Sequence, residues 1–316
     1  MNFLSACEVF LSQGFVYSLI ALGYYISFHI LDFPDLTVEG TFLSGAVAYG
    51  LICVNGINPF LGILLAFVAG AIFGALTGFL NVKLKIRPLL CGILVSTMLI
   101  SINLVATSVG LIGDLTASGE TSIPYGRDVI TLHSSKIFSF IPARLREFGN
   151  IGLRDLVIFF VFALLCKILL DLYLKTKNGL LLRATGNNSQ FVKMLSCDPG
   201  KSKIIGLAIG NGLAAISGAL YTEINGNVNQ GMGIGMIVIG LASLIIGISL
   251  FKKVKFMKDT TKVILGAIVY QACLTLAQKL GVPSAYNKLI MAVLFTIALL
   301  LSGKFKIKGG SKNAGA

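Results

Sequence analysis

Nine apolar runs follow one another along this chain, most of them long enough to span a bilayer, and short blocks of lysine and arginine separate them. A hydrocarbon core takes roughly 20 apolar residues to cross as a helix, and it offers no water to a backbone amide, so such a chain folds as packed helices. Hydrophobic residues make up 55% of the 316 positions, charged residues only 12%, and mean hydropathy is +0.88. These values are far from a soluble domain and describe an all-α polytopic membrane protein, read as one transmembrane domain over 1–316.

The formal charge of +13 would point to nucleic acid in a soluble chain, but here it is blocked. Lys83, Lys85 and Arg87 form one block, and Lys175, Lys177, Arg183, Lys193, Lys201 and Lys203 a second. Lys252, Lys253, Lys255, Lys258 and Lys262 form a third, and Lys304, Lys306, Lys308 and Lys312 lie in the tail 303–316. Eighteen of the 26 basic residues sit in these blocks, which the positive-inside rule places in the cytoplasm. Nine crossings with the N-terminus outside and the C-terminus inside put all four on one side. Residues 111–153 form the longest loop; over 111–155 five acids balance five bases, as expected of an extracytoplasmic segment.

No basic residue precedes the first apolar stretch, so about 9–30 reads as a retained first span rather than a cleaved leader. It is followed by Asp32, Pro34, Asp35 and Glu39 in a short segment flanked by apolar residues. That segment reads as a helix break at membrane depth, where irregular backbone is tolerated only if it is buried or lines a cavity. The crossing count therefore ranges from about eight to ten. Pro34 predicts an extended Asp32–Phe33 and helix from Asp35 onward, with Asp35 or Asp32 capping its start. Gly70, Gly74 and Gly78 give the third span a stripe of small residues for close helix packing, and Gly206, Gly210, Asn211, Gly212, Ser217 and Gly218 do the same in the sixth. That sixth span ends in the polar run Glu223 to Gln230. Asp32, Pro34, Asp35, Glu39, Asn211, Glu223 and Asn225 are the candidate residues of a solute pathway.

Between the fifth and sixth spans, 175–203 is polar and basic. Asn187 or Asn188 can cap a short amphipathic helix that carries Phe191, Met194 and Leu195 on one face, with Pro199-Gly200 as its stop. Such a face can rest on headgroups or meet a partner. No catalytic constellation is present. Gly200-Lys201-Ser202 resembles the end of a phosphate loop, but Leu195 stands where its first glycine belongs, so no ATP site is expected. The six cysteines show no paired spacing, and His29 and His133 are isolated, so neither a disulfide framework nor a metal site is expected.

Gly179, Arg183-Ala184, Gly186 and Asn188, with the run from Ile204 through Gly218-Ala219-Leu220, resemble the signature of permease subunits of ATP-binding cassette (ABC) importers of the branched-chain amino acid and ribose class. Leu22 to Ser27 with Ile30 to Gly40 resembles the entry segment of a subgroup assigned to aromatic or other amino acid-like substrates, and Gly240 to Gly247 is similar to the family's late glycine-bounded helix. Ser196-Cys197 departs from the glycine usual after the loop helix. The resemblance implies a type II importer fold like that of the vitamin B12 importer's membrane subunit, working as a dimer of permease copies. It further implies a cytoplasmic ATPase, an extracytoplasmic binding protein, and a coupling helix formed by Arg183, Ala184, Gly186, Asn188, Phe191, Met194 and Leu195. On this reading the chain is not an enzyme, binds no cofactor, and resides in the prokaryotic cell membrane. The alternative from the residues themselves is an ion-coupled secondary transporter using the intramembrane carboxylates.

The basic blocks make the orientation testable. Single-cysteine variants at Ser118 and Ser135 should react with a membrane-impermeant thiol reagent in intact cells, whereas Ser189 and Ser311 should react only after permeabilisation. Labelling at Ser311 from outside would reverse the assignment.

Overall fold

The computed structural model describes residues 3–110, 129–131, 153–254, 256–280, 283 and 286–301. Most of the 111–153 loop and the tail 303–316 lie outside the described residues. Helix α1 (Phe3–Tyr24) runs into a π-helical turn (Tyr25–Ile30), and α2 (Val38–Val54) begins after a break. Next come α3 (Pro59–Val82), α4 (Pro88–Gly110) and α5 (Leu153–Lys175), then the short α6 (Lys177–Asn187) and α7 (Ser189–Met194). The long α8 (Pro199–Asn225), α9 (Met236–Leu250), α10 (Asp259–Lys279) and α11 (Asn287–Leu301) complete the helices. Seven helical segments among the described residues are long and apolar enough to cross a membrane, and two shorter apolar helices, Val38–Val54 and Lys288–Leu300, join them. The chain is a multi-pass membrane protein. To the all-α expectation the structure adds a small antiparallel pair: β1 (Val129–Thr131) aligns Val129 with Asn229 and Thr131 with Asn227 of β2 (Asn227–Asn229).

Local chemistry sets the helix starts. Asn58 caps α3, its side-chain oxygen accepting from the Phe60 N–H at 3.0 Å with Pro59 in the first turn. Asp198 and Pro199 do the same for α8, with 2.8 Å from the Gly200 N–H. Gly226, left-handed at φ 69°, closes α8.

Helix α8 is the hub, buried along most of its length and packed against α1, α2 and α3. The glycine stripe of α3 lies on it: a Cβ at Gly74 would sit 2.3 Å from the Leu207 carbonyl oxygen, and one at Gly70 2.5 Å from that of Asn211. The α2 face is tighter still, since a Cβ at Gly45 would lie 2.0 Å from the Ala215 oxygen and one at Gly218 1.9 Å from that of Phe42. Such approaches replace the hydrophobic drive that is missing between helices in lipid. Ser217 adds a hydrogen bond from its hydroxyl to the Val16 carbonyl at 2.7 Å, and Gln271 on α10 donates to Gln13 on α1. Leucine, isoleucine and phenylalanine side chains of α3, α4, α5 and α11 face outward, among them Leu64, Ile72, Leu94, Ile100, Phe160, Leu169 and Leu289.

Because a carbonyl oxygen cannot yield as a flexible side chain does, Gly218→Ala should force α2 off α8. A loss on the order of 1–3 kcal/mol is expected. Thermal unfolding in detergent checks it: a midpoint equal to wild type would mean that the helices do not meet this closely.

Candidate functional site

The break after α1 opens with hydrogen bonds of widened helix: Leu31 N–H donates to Ile26 O at 3.0 Å and Phe33 N–H to Ser27 O at 2.9 Å. Asp32 then turns left-handed, φ 52°, and is exposed, as is Pro34, while Phe33 and Asp35 are buried. The structure corrects two local expectations. Asp32 is left-handed rather than extended, and helix begins at Val38 rather than Asp35. The physical reason is the Asp35 side chain: its Oδ1 accepts from the Thr37 N–H at 2.9 Å, a local turn that competes with helix and delays its start. Asp32, Asp35 and Glu39 consequently do not share a helix face.

Asp35 is the centre of a buried network. Its Oδ2 accepts from Asn211 Nδ2 at 2.7 Å, and Asn211 Oδ1 accepts from the Thr41 hydroxyl at 2.8 Å. The Thr37 and Thr77 hydroxyls lie 2.9 Å apart, tying the break to α3, and the Tyr24 hydroxyl donates to the Asp35 carbonyl at 3.2 Å. Asp35 is 2% exposed, and Asn211, Thr37, Thr41 and Thr77 are fully buried. A carboxylate can only accept, and the Asn211 amide is oriented to donate to it while also donating to Leu207 O at 3.0 Å. Asn211 stands near the middle of α8, roughly 18 Å along the axis from Pro199 at 1.5 Å per residue. The network therefore lies at mid-depth.

The remaining pathway candidates are dispersed. Glu223 is buried near the outer end of α8 and accepts from the Tyr49 hydroxyl. Asn225 is exposed, its amide donating to Tyr221 O at 3.1 Å. Glu39, half-buried, accepts the Gly235 N–H at 2.9 Å. Thr37, Thr41, Thr77 and Tyr49 were not singled out by the sequence. The one available signal was Thr37 and Thr41 spaced to share a helix face across from the Gly-Asn-Gly of α8.

On the cytoplasmic side by the basic blocks, Thr176 caps α6 by accepting from the Gly179 N–H at 3.2 Å. Gly186 presses on the break itself, where a Cβ would come 1.7 Å from the Ile30 oxygen. Asn188 caps α7, accepting from Gln190 N–H at 3.0 Å and Phe191 N–H at 3.1 Å. Phe191, Met194 and Leu195 are 53%, 83% and 56% exposed, while Val192 alone is buried. The stop is left-handed Ser196, φ 55°, and Pro199 opens α8 rather than closing α7. Arg183 is exposed and lines a polar cavity of about 270 Å³ with Lys175, Asp171, Lys258 and Thr260, and Ala184 lies half-buried beside it. Gly200-Lys201-Ser202 is the first turn of α8, and Asp198 already occupies its amide end, which suits no phosphate. Among the described residues no group of three or more His, Cys, Asp or Glu could hold a metal.

A family model described as "Branched-chain amino acid transport system / permease component" matches residues 7–300. The chain belongs to that permease family. A protein named "Tyrosine transport system permease protein" from Clostridioides difficile is 40% identical over 96% of the permease described here and 93% of its own length. A "Probable branched-chain amino acid transport permease protein" of Methanocaldococcus jannaschii is 28% identical over 67% of this chain and 65% of its own. "Fructose import permease protein" of Bifidobacterium longum is 22% identical over 88% of this chain and 77% of its own. No solved structure matches. The permease is thus a membrane subunit of a transport system of this family, and family members are transport subunits rather than catalysts.

The mid-depth network predicts a graded response. Asp35→Asn keeps an acceptor for Thr37 but sets its own NH2 against the donating Asn211 Nδ2, and should lose on the order of 1 kcal/mol. Asn211→Leu leaves Asp35 Oδ2 buried without its donor, while the Thr41 hydroxyl keeps the Thr37 and Val38 carbonyls, and should lose about 1–3 kcal/mol. Thermal unfolding of the two purified variants checks this, and wild-type midpoints in both would remove the network's importance.

Proposed function

We propose that the permease is the membrane-spanning part of an ATP-driven importer of an amino acid, with aromatic amino acids the best-supported class. The observation that carries the reading is α7. It is a capped six-residue helix that, with Leu195 just after it, holds three apolar side chains outward on the side of the basic blocks, with nothing among the described residues to cover them. A buried Val192 seats it on the protein, so the exposed Phe191, Met194 and Leu195 are left for a cytoplasmic ATPase. Gly186, jammed against Ile30, supplies a stiff link from that dock to the mid-depth break. Arg183 and Ala184 flank the same link, and Asn188 fixes the helix start.

The 40% relative named for tyrosine transport supports the substrate class, and the family supports delivery by an extracytoplasmic binding protein. Asp32 and Pro34 are exposed in an irregular segment that is tolerated at membrane depth only where it is buried in protein or lines a cavity, which supports a second permease copy across the pathway, as in type II importers.

Phe191→Asp and Met194→Asp should insert normally and lose at least tenfold in ATP-driven uptake of labelled L-tyrosine by the complete importer in proteoliposomes, because an apolar anchor is replaced by a charge. Full uptake by a properly inserted Phe191→Asp variant would rule out α7 as the dock. Uptake driven by an ion gradient without ATPase would replace this reading with a secondary transporter.

A further inference from the structure

Two helices begin inside the membrane, and they meet at one carboxylate. Glu39 lies in the first turn of α2, and its Oε1 accepts the N–H of Gly235, the residue that caps α9 at φ 95°. Gly233 is pressed against the Glu39 carbonyl, where a Cβ would stand 2.6 Å away. The depth follows from the neighbours. Gly40 packs on Leu99 at the middle of α4 (Pro88–Gly110), and its carbonyl accepts from Asn103, one turn further along, at 3.3 Å. Tyr49 pairs with Glu223 at the outer end of α8, so residues 226–235 descend from the level of Tyr49 to that of Glu39, ten residues down α2 and roughly 15 Å.

Charge separates Glu39 from its neighbours. Asp35 and Glu223 are 2% and 0% exposed and held by Asn211, Thr37 and Tyr49. Glu39 is half-buried, next to Ile234 at 60% exposure and the exposed Gly231, and among the described residues it forms no ion pair. An intramembrane carboxylate left partly exposed, with no cation paired to it among the described residues, is a place where a cation can be received. The irregular backbone around it is the kind tolerated only where it lines a cavity.

We propose that Glu39 receives the ammonium group of the transported amino acid at mid-membrane, the Gly235 N–H holding Oε1 in place and leaving Oε2 to the ligand. The assignment rests on the amino acid import reading above. It makes Glu39 a specificity residue of the permease, selecting solutes with a cationic head over neutral ones of similar size. The competing role is a cap that merely holds α9 to α2.

The two roles demand different chemistry. Glu39→Gln keeps an oxygen for Gly235 and removes the charge; Glu39→Asp keeps the charge and is one methylene short of Gly235. In the complete importer reconstituted in proteoliposomes, with the labelled amino acid of the assay above, Glu39→Gln should assemble and unfold like wild type yet lose at least tenfold in uptake. Glu39→Asp should retain about a third or more. Uptake by Glu39→Gln within twofold of wild type overturns the proposal. If Glu39→Gln fails to assemble, Glu39→Asp decides: retained uptake supports the charge, and lost uptake with a lowered unfolding midpoint assigns the cap and overturns the proposal. A wild-type importer that takes up no amino acid would fail at the earlier step, overturning the substrate class and this site with it.

Discussion

The bond between Asp35 and Asn211 holds the rest of this structure in register. Breaking a helix inside hydrocarbon strips several backbone groups of their partners, and each unsatisfied group is costly there. The permease meets that cost with side chains: Asp35 takes the Thr37 amide, Tyr24 takes the Asp35 carbonyl, and Asn211 joins Asp35 to Thr41. Since Asn211 belongs to α8, the break is fixed to the helix that also carries α1, α2 and α3.

Close approach makes this bond possible. Glycines at 45, 70, 74 and 218 let α2 and α3 come to α8 at distances that a methyl group would prevent. The amide of Asn211 is then within reach of both Asp35 and Thr41. Polar satisfaction and small-residue packing are the same constraint seen twice: without the glycines the helices stand apart, and without the network the break has no reason to be where it is.

The break is connected to both faces of the membrane. Toward the basic side, Gly186 sits against Ile30, so displacement of α6 and α7 acts on the last residue before the break. Toward the outer side, the first turn of α2 is joined through Glu39 to Gly235, and the strand pair β1–β2 stands above that junction. If α7 is the dock proposed above, a push on it and a solute arriving from outside would act on the same few residues. That arrangement suits a machine in which the energy source and the cargo belong to different partners.

Much was legible without coordinates because lipid imposes long-range regularity on sequence. Apolar run lengths, the lysine blocks and the Gly70, Gly74 and Gly78 stripe each follow from one-dimensional rules, and so did the Asn188 cap and the exposed trio Phe191, Met194 and Leu195. The proline and acids of 31–40 marked the break. What tertiary structure alone decided was which polar groups meet. Asp35 and Asn211 are 176 positions apart, Glu39 and Gly235 196, and no spacing rule links them. The left-handed turn at Asp32, the late start of α2 and the descent of 226–235 into the membrane follow from those pairings. Local patterns determine where helices can exist; in a bilayer, the partners available to each buried polar group determine where they must stop.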